Sequence, residues 1–207
     1  MARTSTSRGG SWEWSRTAQT RKSMLQAARE VFTEHGFSEA NIADVVARAG
    51  SSTGSLYHHF GGKSELFLAL WEEHQDAHEA AASAAVSAAR QAGVTEPLEL
   101  FIVGARAFLE GSWERRDLAR LFMDGDGPSG FELMRRTRGR EWVRQNAVLL
   151  AAGGQPLDRL TVVVLTSVIG EAGREVATCE TEEEARGFVE AATILIRRLN
   201  PRWPREE

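Results

Sequence analysis

The stretch that decides the fold is Gly50–Leu66, GSSTGSLYHHFGGKSEL. It has few aliphatic residues and many hydrogen-bond donors, which an ordinary core helix would not have. Ser52 is suited to cap a helix running to Phe60, because its hydroxyl can accept a backbone N–H of the first turn. Leu56 and Phe60 are spaced i, i+4 and can anchor that helix to a core. Gly61-Gly62 breaks the chain, and Lys63 opens the next helix. Ser52, Thr53 and Ser55 are short, and Gly54 has no Cβ, so the backbone can approach a ligand closely. Free N–H groups at a helix start attract phosphate.

Upstream, Leu25, Ala28, Val31 and Phe32 fall at helical spacing between Thr17 and His35, and Gly36 follows as a breaker. ANIADVVARAG is a second short helix, with Ile42, Val45 and Val46 as its apolar face and Asn41 as its cap. Three helices, with a tight Ala-Gly-Ser-Ser turn between the second and third, form a helix-turn-helix pattern. In that arrangement the last helix enters the major groove by its N-terminal end.

Taken in order, AAREVFTEHGFSEANIADVVARAGSSTGSLYHHFGGKSELF closely resembles the DNA-binding domain of the TetR family of transcriptional repressors. The likeness covers about Arg21 to Trp71. Carried over by position, it implies that Tyr57 and Lys63 contact phosphate and that Ser52, Gly54, Ser55 and His58 form the recognition surface; Thr53 belongs to the same DNA-binding set, and Asn41 can cap its helix and contact phosphate. The chain departs from the family at Ala40-Asn41, where a threonine is common, and at Thr53, where a lysine is common. The second departure implies modest nonspecific affinity.

The bulk properties fit this reading. The chain has 207 residues, 42% of them hydrophobic, enough for a packed core. Its net charge of −4 hides a gradient. Residues 1–63 carry eight basic and five acidic side chains, a balance of +3, so the rest holds −7. A basic end on an acidic protein suits a polyanionic partner. Cys179 is the only cysteine, which excludes an intramolecular disulfide and fits a cytoplasmic protein. Nothing approaches the roughly 18 apolar residues of a membrane span, so no membrane partner is expected.

Downstream the expectation is all-α, about nine helices in total. A long helix starts at Lys63 with Leu66, Phe67, Leu70 and Trp71 inside. Leu98 to Leu109 repeats at three and four, with Gly111 closing it. RRDLARLFM is a short helix, DGDGPSG a loop, and residues 131–152 a further helix. Leu157 to about Thr178 and Glu182 to Leu199 complete the set. TVVVLTSVI is β-branched enough for a strand but has no strand to pair with. The expected organisation is a disordered arm over 1–16, a helix-turn-helix domain over 17–62, a ligand-binding and dimerisation domain over 63–200 and a tail over 201–207.

The family resemblance implies a ligand cavity in the C-terminal domain, and Trp71, His74, Phe101, Phe108, Trp113, Phe122 and Trp142 are its candidate lining. Without the resemblance, these aromatics are core residues. His74 and His78 are spaced i, i+4, which suits a metal, but beside Glu73 and Asp76 they read first as a solvated or pocket-edge face. His58 and His59 point about 100° apart and suit no metal, and Asp124 to Gly127 lacks the glutamate of a calcium loop. No metal and no cofactor is expected. The resemblance also implies that the last two helices pair with their symmetry mates, through Val164, Val168, Ala172, Phe188, Ala192 and Leu195. The expected protein is a homodimeric repressor that binds double-stranded DNA and is released by a small, largely apolar effector. An all-α enzyme and a ligand-independent DNA-binding protein are the alternatives; no nucleophile–base pair supports the first.

Overall fold

The computed structural model describes residues 9–199, with side chains from residue 17 onward. Residues 1–8 of the expected arm and the expected tail over 201–207 lie outside the described residues. Nine helices and no strand occur among the described residues: α1 (Gly9–Glu39), α2 (Ile42–Arg48), α3 (Thr53–Phe60), α4 (Lys63–Gln91), α5 (Pro97–Glu114), α6 (Arg116–Met123), α7 (Phe131–Leu149), α8 (Pro156–Thr178) and α9 (Glu182–Leu199). The chain divides into two compact units. The first holds the residues up to Trp71 together with Asp126–Pro128; the second holds Glu72–Gly125 and the residues from Ser129 on.

Three boundaries differ from the sequence expectation. α1 begins at Gly9 rather than Thr17, since no proline interrupts the chain there and helix, once nucleated, propagates cheaply. α7 stops at Leu149, and Ala151 takes a positive φ of 50° just beyond it. Gly111 does not close α5. The helix runs through it to Glu114, and a Cβ on Gly111 would stand 3.3 Å from Nδ1 of His78. This glycine is selected by close packing, not by chain reversal.

In the first unit Met24, Ala28, Val31, Phe32, Val45, Leu56, Leu66 and Phe67 are buried. Phe37 folds back beyond the break at Gly36, its ring 5.0 Å from that of Phe67, which in turn meets Phe32 edge-on at 5.5 Å. Edge-to-face rings add about 0.5–1.5 kcal/mol beyond their buried area.

In the second unit α5, α8 and α9 pack against one another, with α6 and α7 also on α8. One cluster joins Leu98, Phe101, Ile102, Ala105, Leu150, Val162, Leu165 and Ile196. Another joins Leu109, Val176, Cys179, Ala185, Val189 and Ala192. The β-branched run of α8 is helical because these contacts outweigh its weak propensity. Its hydroxyls donate back along the helix, Thr166 Oγ1 to the Val162 carbonyl at 2.8 Å and Ser167 Oγ to Val163 at 2.9 Å. Arg120 of α6 donates to the carbonyls of Ala177 (2.6 Å) and Cys179 (3.1 Å), satisfying the C-terminal end of α8.

Candidate functional site

The helix-turn-helix is held by two side-chain caps. Asn41 Oδ1 accepts the N–H of Ala43 at 2.9 Å and starts α2. Ser52 Oγ accepts the N–H of Ser55 at 3.2 Å and starts α3. Both caps were legible from residue type, since each acts within three residues. Leu56 is fully buried and fixes the inner face of α3. The Arg21 guanidinium lies 5.2 Å over the ring of Phe60 and covers its outer side. Arg48 pairs with Glu34 through both guanidinium nitrogens, at 2.7 and 2.5 Å, and so ties α2 to α1.

The opposite face of α3 is open. Ser52, Thr53, Gly54 and His58 are exposed, Tyr57 is 53% exposed, and Ser55 is half-buried. A Cβ built on Gly54 meets nothing within 4 Å, so packing within the chain does not require this glycine. His58 and His59 stand with ring centroids 5.4 Å apart and tilted 64°. Among the described residues no group of three histidine, cysteine or carboxylate side chains converges as a metal site.

Lys63 has a role that the sequence did not reveal. Its Nζ donates to the Ser38 carbonyl at 2.9 Å and sits 4.9 Å over the ring of Phe37. An ammonium has three donors, so this bond uses one of the three. Ser38 is engaged on its other side by Asp126, whose Oδ2 accepts the Ser38 N–H at 2.9 Å and whose Oδ1 accepts the hydroxyl at 2.5 Å. The Ser38 hydroxyl, followed by its N–H, holds the Asp126 carboxyl below its ordinary range.

In the second unit, the histidines expected on a solvated or pocket-edge face are buried: His74 is 5% exposed and His78 2%. Their Nε2 atoms are 3.2 Å apart. Phe122 lies 5.4 Å from His74, Phe108 lies 4.5 Å from His78, and Trp142 meets Phe108 edge-on at 5.9 Å. Burial first, then the Arg115 charge, lowers the pKa of His78 to about 4, with the Phe108 backbone a smaller opposing influence. The imidazole is therefore neutral at pH 7. Its Nδ1 has no partner in hydrogen-bonding geometry.

Four of the candidate effector residues, His74, Phe108, Phe122 and Trp142, thus come together around His78. Phe101 lies instead in the cluster of Leu98 and Ile102. Trp113 packs at the edge of the Leu109 cluster, with Arg116 4.1 Å over its ring. Trp71 belongs to the first unit.

The candidate dimer residues also separate. Val164 (38%) and Leu195 (50%) are exposed. Val168, Ala172 and Phe188 are partly buried against the chain's own core, and Ala192 lies inside it. Exposed neighbours that the sequence reading missed are Leu157, Leu160 and Val163 on α8 and Ile194 and Leu199 on α9. An i, i+3, i+7 count from Leu157 finds Leu160 and Val164, a signal present in the sequence.

The comparisons with known proteins fall into two groups. The profile of the family described as "Bacterial regulatory proteins, tetR family" matches residues 24–70. The HTH-type transcriptional repressor AcnR of Corynebacterium efficiens is 43% identical over 54 residues, 26% of this chain and 29% of that one. The HTH-type transcriptional activator FasR of Mycolicibacterium smegmatis is 41% identical over 58 residues, 28% of this chain and 26% of that one. The matches therefore span less than a third of the length of these curated relatives. The fold likeness is wider. A TetR-like transcriptional regulator from a Rhodococcus species superposes with a TM-score of 0.67 at 23% identity, covering 87% of this chain and 92% of the other.

Proposed function

We propose that this chain, a member of the tetR family of bacterial regulatory proteins, is a dimeric DNA-binding transcriptional regulator, released from a palindromic operator by a small effector. The observation that carries the reading is the capped, outward-facing start of α3: Ser52, Thr53, Gly54, Tyr57 and His58 are exposed on a helix anchored by buried Leu56. A helix presented in this way reads base edges with its first turns while its N–H groups meet phosphate. In this reading Asn41, Tyr57 and Lys63 contact the backbone, and Ser52, Thr53, Gly54, Ser55 and His58 face the groove.

The dimer reading is supported by seven large apolar side chains left exposed on α8 and α9, helices that pack side by side. Apolar surface concentrated in this way marks an interaction face, and two half-sites require a two-fold partner. The effector reading is supported by the aromatic setting of His74 and His78. Coupling between effector and operator runs through α4, which begins in the first unit and continues in the second; such coupling is typically worth 1–3 kcal/mol and is reciprocal. No helix among the described residues is long and apolar enough to cross a membrane, and a cytoplasmic site of action follows from the proposed role on DNA.

Selection of bound sequences from a random duplex pool tests the reading. A palindrome with half-sites about one helical turn apart, roughly 34 Å, is the expected outcome. Failure to enrich any sequence would refute the assignment.

A further inference from the structure

Asp126 lies in the loop between α6 and α7, yet the segment Asp126–Pro128 belongs with the first unit, while Gly125 before it and Ser129 after it belong with the second. Its two carboxylate oxygens take both donors of Ser38, a residue 88 positions upstream. Gly36 makes the approach possible. It adopts φ 73°, a conformation that L side chains rarely take, and a Cβ there would stand 2.8 Å from Asp126 Oδ2. On the other side, Lys63 holds the Ser38 carbonyl. Ser38 is thus gripped at its N–H, its hydroxyl and its carbonyl at once.

The gripped residue sits three positions before Asn41, whose side chain and carbonyl start α2. α2 in turn packs on α3. The turn at Ser38 therefore sets the entry of α2 and, through it, the orientation of the proposed reading helix. In the α6–α7 loop, Gly125 (φ 77°) and Gly130 (φ 84°) bracket Asp126 and let the chain reverse. Pro128, between them, is buried. A carboxylate close to a proposed phosphate-binding surface weakens DNA binding by simple electrostatics, so its presence calls for a role other than contact with DNA.

We propose that Asp126 is a positioning residue for DNA binding: from the α6–α7 loop it clasps the α1–α2 turn at Ser38, making the geometry of the reading head depend on that loop. This rests on the DNA-reader assignment above. It also supplies a second route, besides α4 and hydrogen-bonded at its last step, by which a change around Phe122 of α6 and Trp142 of α7 reaches the reader.

The test uses the full chain and the DNA sequence that the wild type selects from a random pool. Asp126→Ala removes a negative charge, so electrostatics alone would strengthen binding. The clasp requires the opposite, a loss of about tenfold, the scale of losing charge-assisted hydrogen bonds at a partly exposed site. Asp126→Asn, which can still accept the Ser38 N–H, falls between the two. Asp126→Ala/Ser38→Ala is no weaker than Asp126→Ala alone, because both remove the same contact. Hydrogen exchange at the Ser38 amide accelerates about tenfold in Asp126→Ala, while exchange in α8 and α9 is unchanged. Asp126→Ala binding DNA as tightly as the wild type, or unaltered Ser38 exchange, overturns the proposal and leaves the reader assignment standing. A wild type that selects no DNA instead removes the reader assignment, and the positioning role with it, whatever the exchange data give.

Discussion

Nε2 of His74 and Nε2 of His78 face each other at 3.2 Å, one helical turn apart on α4 and buried among aromatic rings. One nitrogen of such a contact donates and the other accepts, so the neutral pair is matched and a second proton is not accommodated. The folded pKa of His78, about 4, lies below its ordinary 6.5. Between these values the unfolded chain binds a proton that the folded chain does not, so stability rises with pH across this window. The contribution is full above about pH 6.5 and is lost as pH falls toward 4, to the extent of about 3 kcal/mol. Urea midpoints of the wild type and His78→Leu at pH 7 and pH 4.5 measure this. The variant is expected to show the flatter dependence; equal slopes would remove His78 as the source.

Ser52→Ala should destabilise the first unit by about 1 kcal/mol, the usual cost of an N-cap. Ser52→Asn should retain most of it. Because the cap orients the first turn of α3, Ser52→Ala should also lose operator affinity. Urea unfolding and gel-shift titration on the same variants separate the two effects. Unchanged unfolding would contradict the hydrogen bond from the Ser55 amide.

Phosphate and base contacts should part company under mutation. Lys63→Ala and Tyr57→Phe are expected to weaken binding to all sequences about equally, and Lys63→Ala to lower the salt slope by about one unit. Ser55→Ala and His58→Ala should instead change the selected motif, with about 1–3 kcal/mol of discrimination per good base contact. Lys63→Ala carries an additional expectation from the structure. It frees the Ser38 carbonyl, so the first unit should also unfold at lower urea. A loss confined to one operator base would exclude Lys63 as a phosphate contact.

Leu160→Glu with Leu195→Glu should convert a dimer to a monomer, because each places a charge within the exposed apolar face of α8 and α9. Both side chains are half exposed in the single chain, so monomer folding should survive. Sedimentation velocity reads the mass, and circular dichroism reads the fold. A wild type that sediments as a monomer would exclude this face as a dimer interface.

The parts legible in the sequence were those decided locally. Asn41 and Ser52 were identified as caps because capping needs only the right side chain within a few residues. Leu56 was legible as an anchor from its spacing, and α8 as a helix because no strand partner existed for it. What escaped was set across long separations. DGDGPSG reads as a turn, and it is one, but nothing in it announces that Asp126 accepts from Ser38, 88 residues earlier. Lys63 reads as a phosphate contact, and nothing near it in sequence announces that it also donates to the Ser38 carbonyl, 25 residues earlier. His74 and His78 follow Trp71-Glu72-Glu73 in a polar-looking segment, and only the approach of Phe108 and Phe122 from other helices buries them. Val168, Ala172 and Phe188 carry apolar faces that serve the chain's own core as readily as a partner's, and periodicity cannot divide the two uses.

Gly111 gives the spacing of α4 and α5 a sharp dependence on one carbon atom. With hydrogen as its side chain, the α5 backbone lies against His78 Nδ1; a methyl there would stand 3.3 Å from that nitrogen, tighter than nine in ten such contacts. The imidazole would have to yield, and in doing so would slip from its alignment with His74. Gly111→Ala would therefore retune the acid response of the protein from a position that carries no ionisable group. The proton threshold of His78 is written partly in the bareness of a neighbouring backbone, and a shifted His78 titration, followed by imidazole proton resonances, would record the change.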